Sequence, residues 1–134
     1  MLNQRFYTAK AFSKRKKLCS LKHPVKLFNW SVKLEELMRF IGAADIYLTP
    51  YLTEAQITSG TLAYAFGAGN AVVSTPYWHA AELLTEERGK LVPFRDAKAI
   101  AVAVVDLLRD ETLRHTMRKN AYKLGRDMVW SKVA

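Results

Sequence analysis

Five polar residues and one glycine follow two short apolar runs of the sequence. They are Glu54, Ser59, Gly60, Thr61, His79 and Glu82. Carboxylate, hydroxyl and imidazole groups form the hydrogen bonds that hold polar ligands. A helix beginning near Ser59 would add backbone N–H groups and a positive dipole end, and Gly60 would let a ligand approach the backbone closely. This chemistry suits a diphosphate, although Ser at a helix start is also commonly a plain N-cap.

The two apolar runs predict strands that bring these residues together. The runs span residues 45–49 and 71–75, and each ends at a proline, Pro50 or Pro76. In a parallel sheet, successive strand-to-helix loops lie along one edge, and open α/β sheets bind ligands there. We therefore expect loop 50–58 and loop 75–79 to converge on one crevice that contains the six residues.

The remaining pattern alternates between strands and helices, which is typical of an α/β domain. Further strands are predicted at residues 25–30 and 90–93. Helices are predicted at residues 31–41, from 59 to 67 or 69, and at 80–84, 97–108 and 111–124. Gly42 is expected to end the first helix. The apolar faces of the last two helices comprise Ile100, Val104, Leu107, Leu108, Leu113, Met117, Ala121 and Leu124. The predicted fold is a Rossmann-like parallel sheet flanked by helices.

The composition fits one globular domain. The chain has 134 residues, of which 50% are hydrophobic and 25% charged, so disordered and collagen-like classes are excluded. No apolar run approaches the roughly 18 residues of a membrane span. Cys19 is the only cysteine, and no Cys or His cluster has metal-ligand spacing. We expect a cytoplasmic protein without a metal, with peripheral membrane association as the alternative.

The positive charge is confined to the first part of the chain. Residues 1–33 hold nine Lys or Arg and no Asp or Glu, whereas residues 34–134 hold twelve of each. Residues 1–24 form a basic segment, for which disorder is one interpretation, and residues 25–134 form the predicted domain. Such a segment could bind phosphate backbones or an anionic membrane. Because few aromatic residues and no nucleic-acid motif accompany it, nucleic acid is not the expected partner.

A family resemblance covers roughly residues 25–134. The stretch FIGAADIYLTPYLTEAQITSGTLAYAFGAGNAVVSTPYWHAAELL, followed by RGKLVPFRD, resembles the nucleotide-sugar-binding half of retaining GT-B glycosyltransferases, known as glycosyltransferase family 4 or group 1. The last residues, WSKVA, resemble the usual family ending. The resemblance implies one half of a GT-B fold. It also implies transfer of a sugar from a nucleoside-diphosphate sugar to an acceptor hydroxyl with retention of configuration.

The resemblance also implies roles for the six residues. A strand ending in Pro leads, in the family, to a loop Glu that contacts the donor sugar, and Glu54 matches this catalytic-site position. The donor diphosphate would lie on Ser59, Gly60 and Thr61. Glu82 matches a Glu near the donor, and His79 could donate to the phosphate or the sugar. Catalysis would depend on positioning and on stabilising the departing diphosphate, without a metal.

Two positions depart from the family pattern. Tyr64 stands where a second glutamate usually binds the donor ribose, and we expect Tyr64 to pack in the core instead. Trp78 and His79 stand at positions that are glycine in family members. Bulkier groups therefore line that wall of the predicted site.

The resemblance further implies a partner domain. GT-B enzymes place the active site between two Rossmann-like domains, and the other domain binds the acceptor. The sequence contains no segment long enough for that domain, so we expect a fragment or one half of a split enzyme, inactive without an N-terminal acceptor domain. The face that meets such a domain would be apolar, and homo-oligomerisation through it is an open alternative.

Two other functions remain open on the sequence. One is a noncatalytic Rossmann-like binding module whose basic arm docks onto nucleic acid, a membrane or a protein. The other is a GT-B-like sugar-nucleotide epimerase, although the motif around residues 50–61 favours a transferase.

Overall fold

Strands and helices alternate along residues 31–128, which are the part of the chain that the computed structural model describes. The elements are α1 (Leu34–Ala43), β1 (Ile46–Thr49), α2 (Gly60–Gly67), β2 (Ala71–Ser74), α3 (Trp78–Leu83), β3 (Lys90–Leu91), α4 (Ala97–Arg109) and α5 (Glu111–Asp127). The predicted strand at residues 25–30, the basic segment 1–24 and the family-like ending at residues 130–134 lie outside the described residues.

The three described strands form one parallel sheet in the order β1-β2-β3. Ile46 of β1 pairs with Ala71 of β2, and Val73 of β2 pairs with Lys90 of β3. All four residues of β2 are buried, as its continuous apolar run predicts for a strand covered on both faces. The α/β prediction is confirmed, and the carboxyl ends of all three strands lie at one edge.

Two hydrophobic clusters pack on the two faces of this sheet. Val72 joins the cluster that α2 and α3 complete, whereas its neighbours Ala71 and Val73 join the cluster formed with α4. This division follows from the alternation of side chains along a strand. Helix α5 contributes Ala121 to the first cluster and Met117 to the second. The helices therefore flank both faces of the sheet, and α5 joins the two layers.

Helix α1 differs from its predicted bounds at both ends. It begins at Leu34 instead of residue 31, so that its first turn is acidic and complements the positive end of the helix dipole. It also continues past Gly42, which was expected to stop it. The Asn70 side-chain amide donates to the carbonyls of Ile41 at 2.9 Å and Ala44 at 3.0 Å. Because a distant residue pairs with these carbonyls, the helix does not need a glycine stop.

Strand β3 is shorter than predicted. It covers Lys90–Leu91, although the Val92 N–H still donates to the Ser74 carbonyl at 2.9 Å. Pro93 has no N–H to continue the ladder, which limits the strand.

The two final helices are confirmed, with α5 three residues longer than predicted. Their predicted apolar faces are wrong at two positions, because Leu108 is 53% exposed and Leu113 is 38% exposed. Adjacent residues on a helix point about 100° apart, so burial of Leu107 turns Leu108 outward. No helix within residues 31–128 is long and apolar enough to cross a membrane.

Candidate functional site

The loops that follow β1 and β2 meet at the carboxyl edge of the sheet. The Thr75 hydroxyl donates to the Tyr51 carbonyl at 2.7 Å, and the Trp78 N–H donates to the Glu54 carbonyl at 3.2 Å. The predicted convergence of these loops is confirmed. We call this region, formed by loop 50–58, the start of α2, residues 75–77 and the start of α3, the strand-end site.

Ser59 is the N-cap of α2 in this site. Its hydroxyl accepts from the Leu62 N–H at 3.3 Å and lies 3.3 Å from the Thr61 hydroxyl. Its own N–H donates to Nδ1 of His79 at 3.1 Å. The prediction that Ser59 offers a free N–H is therefore wrong, since a side chain 20 positions away already accepts this bond.

Gly60 and Thr61 keep the N–H groups that the start of α2 leaves unpaired within residues 31–128. The first intrahelical bond runs from the Ala63 N–H to the Ser59 carbonyl at 3.1 Å, and Leu62 is capped by Ser59. Gly60 is exposed, and a Cβ built on it would meet no atom of residues 31–128 within 4 Å. The fold therefore has room for a side chain at this position. The open space in front of Gly60 is where a ligand could approach the backbone.

The prediction that His79 belongs to the loop before this helix is wrong, because His79 lies inside α3. Helix α3 begins at Trp78, two residues earlier than predicted, because the N–H of Trp78 finds its acceptor in the Glu54 carbonyl of the other loop. Since Nδ1 of His79 accepts a bond from Ser59, a neutral ring carries its proton on Nε2. His79 thus presents one N–H donor beside the start of α2.

We expect the stability of the fold to depend on the acceptor atom of His79. Leu in its place would leave the buried Ser59 N–H unpaired and lower the free energy of unfolding by about 1–3 kcal/mol. Asn carries an oxygen near the position of Nδ1, so His79→Asn should lose less than half as much. Urea denaturation followed by circular dichroism measures both variants. Equal losses in the two variants would contradict this role of Nδ1.

The two glutamates of the site lie on different elements. The Glu54 carbonyl accepts from Trp78, which anchors its loop to α3. Glu82 lies on α3 one turn after Trp78. Both residues are exposed, and within residues 31–128 neither carboxylate has a hydrogen bond or an ion pair. Both carboxylates are therefore available to accept hydrogen bonds from a ligand.

A layer of hydroxyl groups beneath the start of α2 was missed by the sequence reasoning. The Tyr77 ring is fully buried and packs edge-on against Tyr51 with centroids 4.8 Å apart, and its hydroxyl lies near the hydroxyls of Thr49, Ser59 and Ser74. The Ser74 hydroxyl donates to the Thr49 carbonyl at 3.1 Å. The available signal was a hydroxyl residue, Thr49 or Ser74, at the end of each of two adjacent strands.

Two phenols in this layer stay protonated well into the alkaline range. Burial raises the pKa of Tyr77, and the nearby hydroxyls of Thr49 and Ser59 only partly oppose this shift. Burial likewise raises the pKa of Tyr47, and a hydrogen bond with Thr61 partly opposes this increase. At neutral pH both side chains are therefore neutral hydroxyl groups near the start of α2.

Tyr64 does not pack in the core, contrary to the sequence prediction. It is 42% exposed, while Leu62, Ala65 and Phe66 form the buried stripe of α2. Tyr64 is two positions from both Leu62 and Phe66, which places it on the opposite side of a 3.6-residue helix.

Two other depressions lie on the surface of residues 31–128, away from the strand-end site. One open depression is lined only by residues of α5, and another lies between α5 and the turn at residues 86–88. No group of three His, Cys, Asp or Glu side chains in the described part of the chain could hold a metal ion.

Comparison with known protein families matches residues 7–110 to the family described as glycosyl transferases group 1. The matched range includes all six predicted site residues. Comparison with curated proteins finds no significant match.

Comparison with solved structures finds the same architecture. The C-terminal domain of a glycosyl transferase group 1 family protein (LpcC) from Francisella tularensis matches with a TM-score of 0.72 and 20% sequence identity. The match covers 89% of this chain and 60% of that chain. At this identity the likeness concerns the fold, and the chain spans about 60% of the length of the solved chain.

Proposed function

Because the chain belongs to the group 1 glycosyl transferases, we propose that it binds the nucleoside-diphosphate sugar donor of a retaining sugar transfer. The observation that carries the proposal is the start of α2. The N–H groups of Gly60 and Thr61, unpaired within residues 31–128, directly follow Ser59, whose own N–H bonds to Nδ1 of His79. Several N–H donors at the positive end of a helix form a favourable site for a diphosphate.

In the proposed pose, the diphosphate and the sugar of the donor bind to two different kinds of protein groups. The diphosphate accepts hydrogen bonds from Gly60, Thr61 and His79, which are all neutral or dipolar donors. The sugar hydroxyls donate to the carboxylates of Glu54 and Glu82, which have no partner among residues 31–128. The hydroxyl layer around Tyr77 supports α2 from below. This division places the sugar toward α3 and the loop that contains Glu54.

In the proposed reaction the bond between the sugar C1 and the diphosphate oxygen breaks, and C1 bonds to an acceptor oxygen on the same face. The acceptor proton passes to the departing diphosphate. Negative charge grows on the diphosphate as the bond breaks, so the N–H groups at α2 interact more strongly with the transition state than with the donor. A second Rossmann-like domain would supply the acceptor site, completing a GT-B architecture. The proposal requires no metal and places the reaction in the cytoplasm.

The first test introduces a side chain in front of the diphosphate position. Gly60→Val fits the fold, because a Cβ at Gly60 meets nothing in the described part of the chain within 4 Å, but its methyl groups would fill the ligand space. We expect an affinity loss of about tenfold or more, equivalent to about 1.4 kcal/mol. Ligand-observed NMR against UDP, GDP, ADP and their sugar derivatives measures this loss and identifies the nucleotide. Gly42→Val is the matched control, since Gly42 has the same free space in another helix.

The same titrations separate the transferase from a binding module with a basic arm. The donor-binding proposal expects Glu54→Ala to weaken binding of the sugar nucleotide, and deletion of residues 1–24 to have little effect. The alternative expects the reverse. A folded wild-type chain that binds none of the nucleotides would refute the donor-binding proposal.

A further inference from the structure

Trp78 joins the parts of the strand-end site but its indole remains exposed. Its backbone N–H donates to the Glu54 carbonyl, and the next residue, His79, accepts from Ser59. Its side chain is nevertheless 54% exposed. The backbone at Trp78 is therefore anchored to both loops, and its aromatic ring is exposed next to the proposed diphosphate site.

Two glutamates are close to Trp78 in the fold. Glu82 is four residues after Trp78 on α3, so the two side chains lie on the same face of the helix. Glu54 is the residue whose carbonyl bonds to Trp78. An aromatic face carries partial negative charge and attracts positively polarised C–H groups, while carboxylates accept from hydroxyls. A pyranose ring offers both kinds of group, with C–H bonds on its face and hydroxyls around its edge.

We propose that Trp78 is the platform on which the donor sugar ring stacks, a specificity-determining contact that rests on the proposed donor site. The sugar is bonded directly to the diphosphate, whereas the base is separated from it by the ribose. Trp78 is adjacent in sequence to His79, which would contact the diphosphate. The ring that lies on Trp78 is therefore the sugar, and the flanking glutamates hold its hydroxyls.

The test compares a nucleoside diphosphate with the corresponding nucleotide sugar. In titrations followed by ligand-observed NMR, Trp78→Ala should weaken binding of the nucleotide sugar by about three- to tenfold, the range expected for one aromatic contact. It should leave binding of the nucleoside diphosphate unchanged, and Trp78→Phe should retain most of the affinity. Tyr122→Ala is the matched control, because Tyr122 is a similarly exposed aromatic residue on α5.

A spectroscopic readout locates the contact independently. In protein labelled with 5-fluorotryptophan, the fluorine resonance absent from Trp78→Phe should shift with the nucleotide sugar and remain in place with the nucleoside diphosphate. Equal losses of both ligands in Trp78→Ala would assign the ring to the base or diphosphate and overturn the inference. Unchanged affinities in that variant would overturn it while leaving the donor site intact. Failure of the wild-type chain to bind either ligand would overturn both proposals.

Discussion

Replacing Asn70 by Asp is expected to lower the free energy of unfolding by about 3–5 kcal/mol at neutral pH, the range for an uncompensated buried charge. Asn70 is 2% exposed, and its amide nitrogen donates to the carbonyls of Ile41 and Ala44. An aspartate of the same shape would place one carboxylate oxygen against both of these carbonyl oxygens. It would remove both bonds and add a repulsion.

The loss in this variant should depend on pH. Burial opposes ionisation, so the pKa of the new carboxyl is higher in the folded than in the unfolded chain, where it is about 3.9. The penalty is therefore smallest below pH 4 and grows as pH rises through the unfolded value toward the folded one. Urea denaturation of Asn70→Asp and the wild type at several pH values measures this difference. The control is Asn120→Asp on α5. Equal losses in the two variants would contradict the role of the Asn70 side chain in holding the end of α1.

The strands and loops that build the site could be predicted because they depend on local patterns. The continuous apolar run at residues 71–75 indicates a strand buried on both faces, and Pro50 and Pro76 mark where the strands end. Parallel pairing then brings the two following loops to one edge without any knowledge of side-chain contacts. This is why the convergence of loop 50–58 with loop 75–79 follows from the sequence alone.

The partners of individual polar groups could not be predicted, because they come from distant parts of the chain. Periodicity contains no signal that His79 accepts from Ser59, or that Asn70 holds the end of α1. The first contact uses an N–H that was expected to bind a ligand, and the second extends a helix past Gly42. Both predictions assume that helix ends are capped by nearby residues. They fail because hydrogen bonds from distant residues take the place of these local caps.

Helix α2 connects the stability of the fold to the geometry of the site. Its first turn presents Gly60 and Thr61 at the strand-end site, and its last turn is held by α5. The Arg118 side chain donates from Nε to the Gly69 carbonyl at 2.9 Å, just after the helix ends. A displacement of α5 would therefore move α2 and, with it, the N–H groups proposed to bind the diphosphate.

Replacing Gly125 is expected to produce that displacement. A Cβ on Gly125 of α5 would lie 2.9 Å from the Cα of Gly67, the last residue of α2. The opposing atom belongs to the backbone and cannot rotate away, so the two helices must separate. We expect Gly125→Val to lower the free energy of unfolding by about 3 kcal/mol, at the upper end for overpacking. Gly125→Ala should show a smaller loss together with weaker nucleotide binding.

The matched control for this prediction is the other glycine of the contact. Among the described residues, a Cβ on Gly67 would meet no atom within 4 Å, so Gly67→Ala keeps the helices together. Ala is the better helix former, and this variant should gain about 0.5–1 kcal/mol. Urea denaturation compares the variants, and nucleotide titration of the folded ones shows whether α2 has moved. If Gly125→Ala kept wild-type stability and affinity, the backbones of α2 and α5 would not be in close contact. The proposed coupling between this packing and the site would then fail.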